Sequence, residues 1–238
     1  MLVLVIGWQA IILIFEPARF ILPGPLDVAR VLANQWRYLG SNALITIQEM
    51  ILGLVIGSTI GIAVAVVLSQ FQTLERYLMP VVVATQTLPV FAIAPLLVIW
   101  FGFGIGSKIV MASLIIFFPV ASAFYDGLKQ TPKTWLDLGA NWGASKWQLL
   151  AWMRVPAAMP SLMSGLKVAA TIAPIGAIVG EWAGAAGGLG FVMLQANART
   201  QTDVVFASLI VLAVCAYLLR QAVVKCADRL LWWSARAV

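Results

Sequence analysis

Residues 43–69 read ALITIQEMILGLVIGSTIGIAVAVVLS, with Glu49 as the sole charge. A helix needs about 20 apolar residues to cross a bilayer, and this run is long enough. No proline interrupts it, and no period-two alternation marks it as a barrel strand. Lipid cannot satisfy free backbone N–H and C=O groups, so a run of this kind is helical. Gly53, Gly57, Gly61 and Ala65 recur at every fourth position. That spacing puts four small residues on one face and lets a second helix approach closely. Packing within one bundle is the ordinary use of such a face; a seam between two copies is the other.

The pattern repeats along the chain. Six apolar segments, at about 2–16, 43–69, 78–101, 108–125, 160–181 and 203–224, predict an all-α membrane protein with six transmembrane helices in one domain, 1–238. The chain is 62% hydrophobic and only 10% charged, with a mean hydropathy of +0.98. A soluble domain carries about a quarter of its residues charged, so this chain lacks the polar surface for one. Leu2–Phe15 is short for a span. It has no basic flank and no small-x-small cleavage site of a signal peptide, and it reads as a first span.

The net charge of +6 does not point to nucleic acid, because the basic residues sit in short gaps between apolar runs. With the N-terminus in the cytoplasm, nine fall inside: Arg76, Lys129, Lys133, Lys146, Arg154, Arg220, Lys225, Arg229 and Arg236. Five fall outside: Arg19, Arg30, Arg37, Lys108 and Arg199. Lys167 lies within a span. The bias favours a multi-pass protein with both termini cytoplasmic. Cys215 and Cys226 form no metal or redox spacing and read as packing residues. The chain has no His, so neither the commonest general base nor the commonest metal ligand is present.

The third segment carries Pro80, Pro89 and Pro95. Interior prolines remove backbone bonds and kink helices. Gln86 and Thr87 flank Pro89, and broken helices with polar neighbours line transport cavities. Thr87 bonding back to its own helix is the structural alternative.

Residues 126–160 are too polar to span and too long for a turn. Pro132 suits the first turn of a helix over Leu136, Leu138 and Ala140. Gly143 breaks it, and Ser145 can cap a second helix, Lys146 to Met153, that Pro156 and Pro160 end. The apolar teeth Trp142, Trp147 and Leu150 must bury against the bundle or a partner.

Asp137-Leu138-Gly139, three residues, Gly143, nine residues, then Met153-Arg154-Val155-Pro156 resembles the EAA loop of ABC-importer permeases. The spacing fits; Asp137, Leu138, Gly139, Met153 and Val155 depart from the consensus residues. Gly143-Ala144-Ser145-Lys146-Trp147-Gln148 is similar to the branch for nitrate, sulfonate, taurine and thiamine precursors. So are Leu22-Pro23-Gly24-Pro25, Thr87-Leu88-Pro89, Gly180-Glu181-Trp182 and Gly188-Leu189-Gly190. The resemblance implies a type I importer permease with cytoplasmic coupling helices in 127–159. It implies a bacterial inner-membrane location and a second permease copy, most simply a homodimer. It further implies two ABC ATPase subunits that bind ATP and Mg, and a periplasmic or lipid-anchored substrate-binding protein. The coupling residues it implies are Asp137, Gly139, Ala140, Gly143, Ala144, Ser145, Trp147 and Pro156.

The chain has no G-x-x-x-x-G-K-[ST] phosphate loop and no Ser/His/Asp or Cys/His set. It is expected to bind no cofactor itself and to be no enzyme. Glu181, after Pro174, Gly176 and Gly180, is expected to face the pathway or a partner helix; reaching the headgroups is the other reading. Glu49 is expected at the interface. Asn197, Arg199 and Gln201 read as a solvated outer loop, with binding-protein contact as the alternative. Gln86, Thr87, Pro89 and Glu181 are the candidate pathway residues. A secondary transporter would hide coupling acids deep in spans or show repeats, and a scaffold would not explain a proline-broken span. The resemblance leans toward pyrimidine thiamine precursors as substrate, with nitrate, sulfonate, taurine and riboflavin-like compounds open.

Overall fold

The computed structural model describes residues 2–18, 20–87 and 89–233. Arg19 and Arg236, counted in the charge bias, and Leu88, in the Thr87-Leu88-Pro89 signature, lie outside the described residues. In chain order the elements are α1 Leu2–Phe15, α2 Pro25–Asn34, α3 Trp36–Gln70, α4 Gln72–Thr87, α5 Val90–Phe101 and α6 Ile105–Lys129. There follow α7 Lys133–Asn141, α8 Lys146–Leu149, a π-helical turn Leu150–Arg154, α9 Val155–Gly184, α10 Leu189–Ala198 and α11 Thr202–Leu230. No strand occurs among the described residues.

Four helical stretches are long and apolar enough to cross a membrane: Trp36–Gln70, Ile105–Lys129, Lys146–Gly184 and Thr202–Leu230. A fifth arises if α4 and α5, which meet at a bend of 98°, count as one broken span. Pro89 caps α5 at that bend, so the proline expected to break the third segment does so. The first segment forms a 14-residue helix, about 21 Å at 1.5 Å per residue, shorter than a bilayer core.

α6 is the central helix, packed most extensively against α9 on one side and α3 on the other. Close approach explains the small residues of α3. A methyl group added at Gly57 would stand 2.8 Å from the Ser113 carbonyl oxygen, and one at Gly53 2.5 Å from Ala112 Cβ. The Gly53/Gly57/Gly61 face is therefore spent on packing within the chain. Met50, Ala112, Ile116, Val120, Phe124 and Ala169 form the centre of the apolar core. A second cluster joins α2, α10 and α11 through Val28, Val31, Val192 and Ala207. Large apolar side chains such as Ile51, Val55, Leu209, Val214 and Leu218 remain exposed on the long helices, as lipid-facing or partner-facing surface does.

Two expectations are corrected. Pro156 and Pro160 do not end a helix; they lie inside the continuous stretch Lys146–Gly184. The π turn explains this, because the Val155 N–H bonds to the Leu150 carbonyl, five residues back. That shift lets the chain enter proline without losing the helix axis. Glu49 does not face out of the bundle, as an interfacial side chain would. α3 begins at Trp36, before the apolar run, and carries Glu49 into the bundle, where it is 0% exposed. It pairs at 2.9 Å with Lys108, which sits buried in the first turn of α6 rather than in a loop.

Candidate functional site

The segment between α6 and α9 is built by local rules. α7 ends in a Schellman closure: Gly143 N–H donates to Ala140 O at 2.9 Å and Ala144 N–H to Gly139 O at 3.0 Å. Gly143 takes the left-handed conformation this needs, with φ +79°. Ser145 then caps α8 in a reciprocal box: its Oγ accepts from Gln148 N–H at 3.3 Å, and Gln148 Oε1 accepts from Ser145 N–H at 2.8 Å. Pro132 is the cap residue of α7, one position ahead of the first turn.

The two short helices pack face to face at Gly139, where an added methyl would lie 2.5 Å from Leu149 Cδ2 and 2.8 Å from Met153 Cε. Their other faces are bare. Trp142 is 78% and Trp147 62% exposed, and Asp137, Ala140 and Ser145 are exposed with them. Beyond its chain neighbours, nothing lies within 4 Å of a Cβ added at Gly143. Of the expected residues, Asp137, Ala140, Gly143, Ser145, Trp147 and Pro156 are exposed, Ala144 is half-buried, and Gly139 is buried between the helices. Arg154 ties this element to the bundle by donating to Ser69 O of α3 at 3.4 Å. Glu75 of α4 accepts from Lys129 Nζ at 2.6 Å and from the Tyr125 hydroxyl, fixing α4 to the end of α6.

At the opposite end of α9, Glu181 is 1% exposed. Its Oε1 accepts from Thr46 Oγ1 at 2.6 Å. Its Oε2 accepts from the backbone N–H groups of Gly190 and Phe191, at the start of α10. Thr46 Oγ1 accepts in turn from Leu189 N–H at 2.9 Å, and Asn42 Oδ1 accepts from Gly188 N–H at 2.9 Å. A carboxylate at a helix N-terminus meets unpaired donors and the positive end of the dipole. Gly188, at φ +111°, leaves room for this, since a Cβ there would collide with the Glu181 carboxyl group. Trp182 Nε1 donates to Gly190 O at 3.1 Å. These contacts set Glu181 against α3 and α10 of its own chain.

Gln86 and Pro89 are exposed, and none of the hydrogen bonds of Glu181 reaches them. The Thr87 side chain lies outside the described residues. The residues missed in the sequence are Asn42, Thr46 and the Glu49–Lys108 pair. Their signal was polar residues spaced 42, 46, 49 on one face of a single helix. Among the described residues no group of His, Cys, Asp or Glu is arranged to hold a metal.

Residues 57–231 match the family described as binding-protein-dependent transport system inner membrane component. The chain belongs to this family. The permease is 46% identical over 210 residues to a probable ABC transporter permease protein of Haemophilus influenzae, covering 88% of this chain and 86% of that one. It is 34% identical over 218 residues to the formylaminopyrimidine transport permease protein ThiX of Halalkalibacterium halodurans, covering 91% and 87%. The inward-facing structure of the MetNI methionine ABC transporter superposes with a TM-score of 0.73, at 20% identity, over 82% of this chain and 97% of that one. That likeness shares the all-helical fold. The permease is a multi-pass membrane subunit of an ABC importer, a transport component rather than an enzyme.

Proposed function

We propose that the permease forms half of the translocation pathway of an ABC importer, as a homodimer, and takes its energy from two ATPase subunits docked on residues 133–154. Both termini then face the cytoplasm, and a substrate-binding protein delivers solute to the end that carries α10. The observation that carries this reading is the bare surface of Trp142 and Trp147 on a helix pair whose second member, α8, runs without a break into α9. Apolar surface of that kind has to be covered by a partner, and the continuous helix would pass its motion into the bundle.

Gly143 supplies the test, because no atom beyond its chain neighbours lies within 4 Å of a Cβ placed there. Gly143→Asn keeps the left-handed backbone at little strain, and Gly143→Trp adds bulk at a backbone cost of about 1–2 kcal/mol. Both should leave the permease folded. The tryptophan should lower ATP-driven uptake at least tenfold while ATP hydrolysis continues. Normal uptake by Gly143→Trp would remove the docking assignment.

The proposed cargo is a pyrimidine thiamine precursor, supported by Gly180-Glu181-Trp182 and Gly188-Leu189-Gly190 and by the relative named for formylaminopyrimidine. Uptake in proteoliposomes with the cognate binding protein would decide it. Accumulation of taurine, an alkyl sulfonate, nitrate or riboflavin in place of the pyrimidine would replace this assignment.

A further inference from the structure

A cavity of about 720 Å³ opens between the ends of α3 and α6, the start of α4 and the inner face of the α7–α8 pair. Lys129, Lys146 and Arg154 line it, together with the polar residues Gln70, Gln72 and Thr73, and no carboxylate does. Elsewhere the buried Lys108 is matched by Glu49, and Arg30 and Lys167 pair at the surface with Asp27 and Asp228. Here Lys129 has Glu75, but Lys146 and Arg154 make no ion pair among the described residues.

Arg154 is half-buried, and its hydrogen bond to Ser69 O, at 3.4 Å, is long. A guanidinium carries five N–H donors in a planar fork. Taking it partly out of water with so little to bond is costly unless an anion completes the set. With Lys129 already neutralised by Glu75, the two unpaired charges of Lys146 and Arg154 still repel one another until a counter-charge enters. The first-turn amides of α4, over Gln72 to Leu74, border the same space and add positive potential. The carbonyl end of α3 opposes this, and Arg154 meets it at Ser69. The cleft lies behind Leu136 and Leu149, on the face of the loop helices turned away from exposed Trp142 and Trp147.

We propose that this cleft binds a phosphate group, held between Lys146 and Arg154 with Lys129 at its edge, so that the anion pins the loop helices to the ends of α3 and α6. Two sources share that chemistry. In the orientation proposed above, the cleft opens at the inner headgroup layer, where basic pockets between helices take anionic lipid. Free inorganic phosphate would satisfy the same donors.

Native mass spectrometry of the delipidated, intact permease separates the sources. It would be run with phosphatidylglycerol, with phosphatidylcholine and, in a third arm, with millimolar inorganic phosphate. The wild type should retain phosphatidylglycerol at least fivefold more than phosphatidylcholine. Lys146→Gln/Arg154→Gln should abolish that preference, and Lys146→Arg/Arg154→Lys should keep it. Where the neutral variant does not fold, competition by glycerol phosphate on the wild type serves instead, and it should displace the lipid. Phosphate adducts lost in the neutral variant, without lipid preference, would uphold the anion site and assign it to the free ion. Equal retention of both lipids and no variant-sensitive phosphate adduct would overturn the proposal. None of these readouts involves the ATPase or uptake, so their failure leaves the importer reading standing, and the failure of that reading leaves these results intact.

Discussion

Glu181→Gln keeps the shape of the side chain and removes its charge. In the structure the carboxylate accepts from Thr46 Oγ1 and from the Gly190 and Phe191 amides of α10. A glutamine can present its oxygen to only one of these two directions. With the oxygen toward α10, its NH₂ group meets Thr46, whose oxygen already accepts from Leu189 N–H. The bonds that survive are neutral instead of charge-assisted, a loss of about 1 kcal/mol each, and the helix-dipole interaction goes as well. With the Thr46 bond lost and the two to α10 weakened, at about 1 kcal/mol each, the cost is about 3 kcal/mol, since Glu181 is 1% exposed and little of it is screened by water. For a chain of this length that is about 6–12 °C in Tm. Thermal unfolding of the detergent-purified permease, followed by tryptophan fluorescence, would read it. A Tm within 2 °C of wild type would refute the idea that Glu181 holds α10 to α3 and α9. If uptake were lost at that unchanged Tm, the carboxylate would belong to the pathway instead.

Two further outcomes follow from the packing. Lys108→Met leaves Glu49 buried without its partner and should cost about 3–5 kcal/mol, while Glu49→Leu/Lys108→Met should restore stability to within about 1 kcal/mol of wild type; a double variant no better than the single would show that the ion pair is not the coupled unit. Gly57→Val drives a methyl toward the Ser113 carbonyl and should cost about 3 kcal/mol through overpacking, seen as lost monodisperse yield. A well-folded Gly57→Val monomer that only fails to dimerise would return that face to a seam between copies.

Much of this architecture was legible in the sequence because lipid makes the rules simple. Apolar length sets where a spanning helix lies, and Gly143 with Ser145 announces a helix end and a helix start through chemistry that acts over four residues. What was hidden depends on distance in space. Gly180-Glu181-Trp182 and Gly188-Leu189-Gly190 stand apart in the chain, yet Glu181 and Trp182 both bond to Gly190. A pair such as Glu49 and Lys108 looks like two interfacial charges until the true start of α3 is known. Pro156 misled for a different reason. The rule that proline ends a helix assumes four-residue hydrogen bonds, and the chain has switched to five just before it.

That five-residue turn has a geometric consequence. Relative to an uninterrupted α-helix, Leu150–Arg154 holds one surplus residue, and each residue of an α-helix turns by about 100°. Everything N-terminal to the turn is therefore rotated by that amount about the axis of α9. The compass bearing of Trp147 is written in the extra residue beyond it, so the surface that α8 offers outward and the face that α9 buries can be matched independently along one rod.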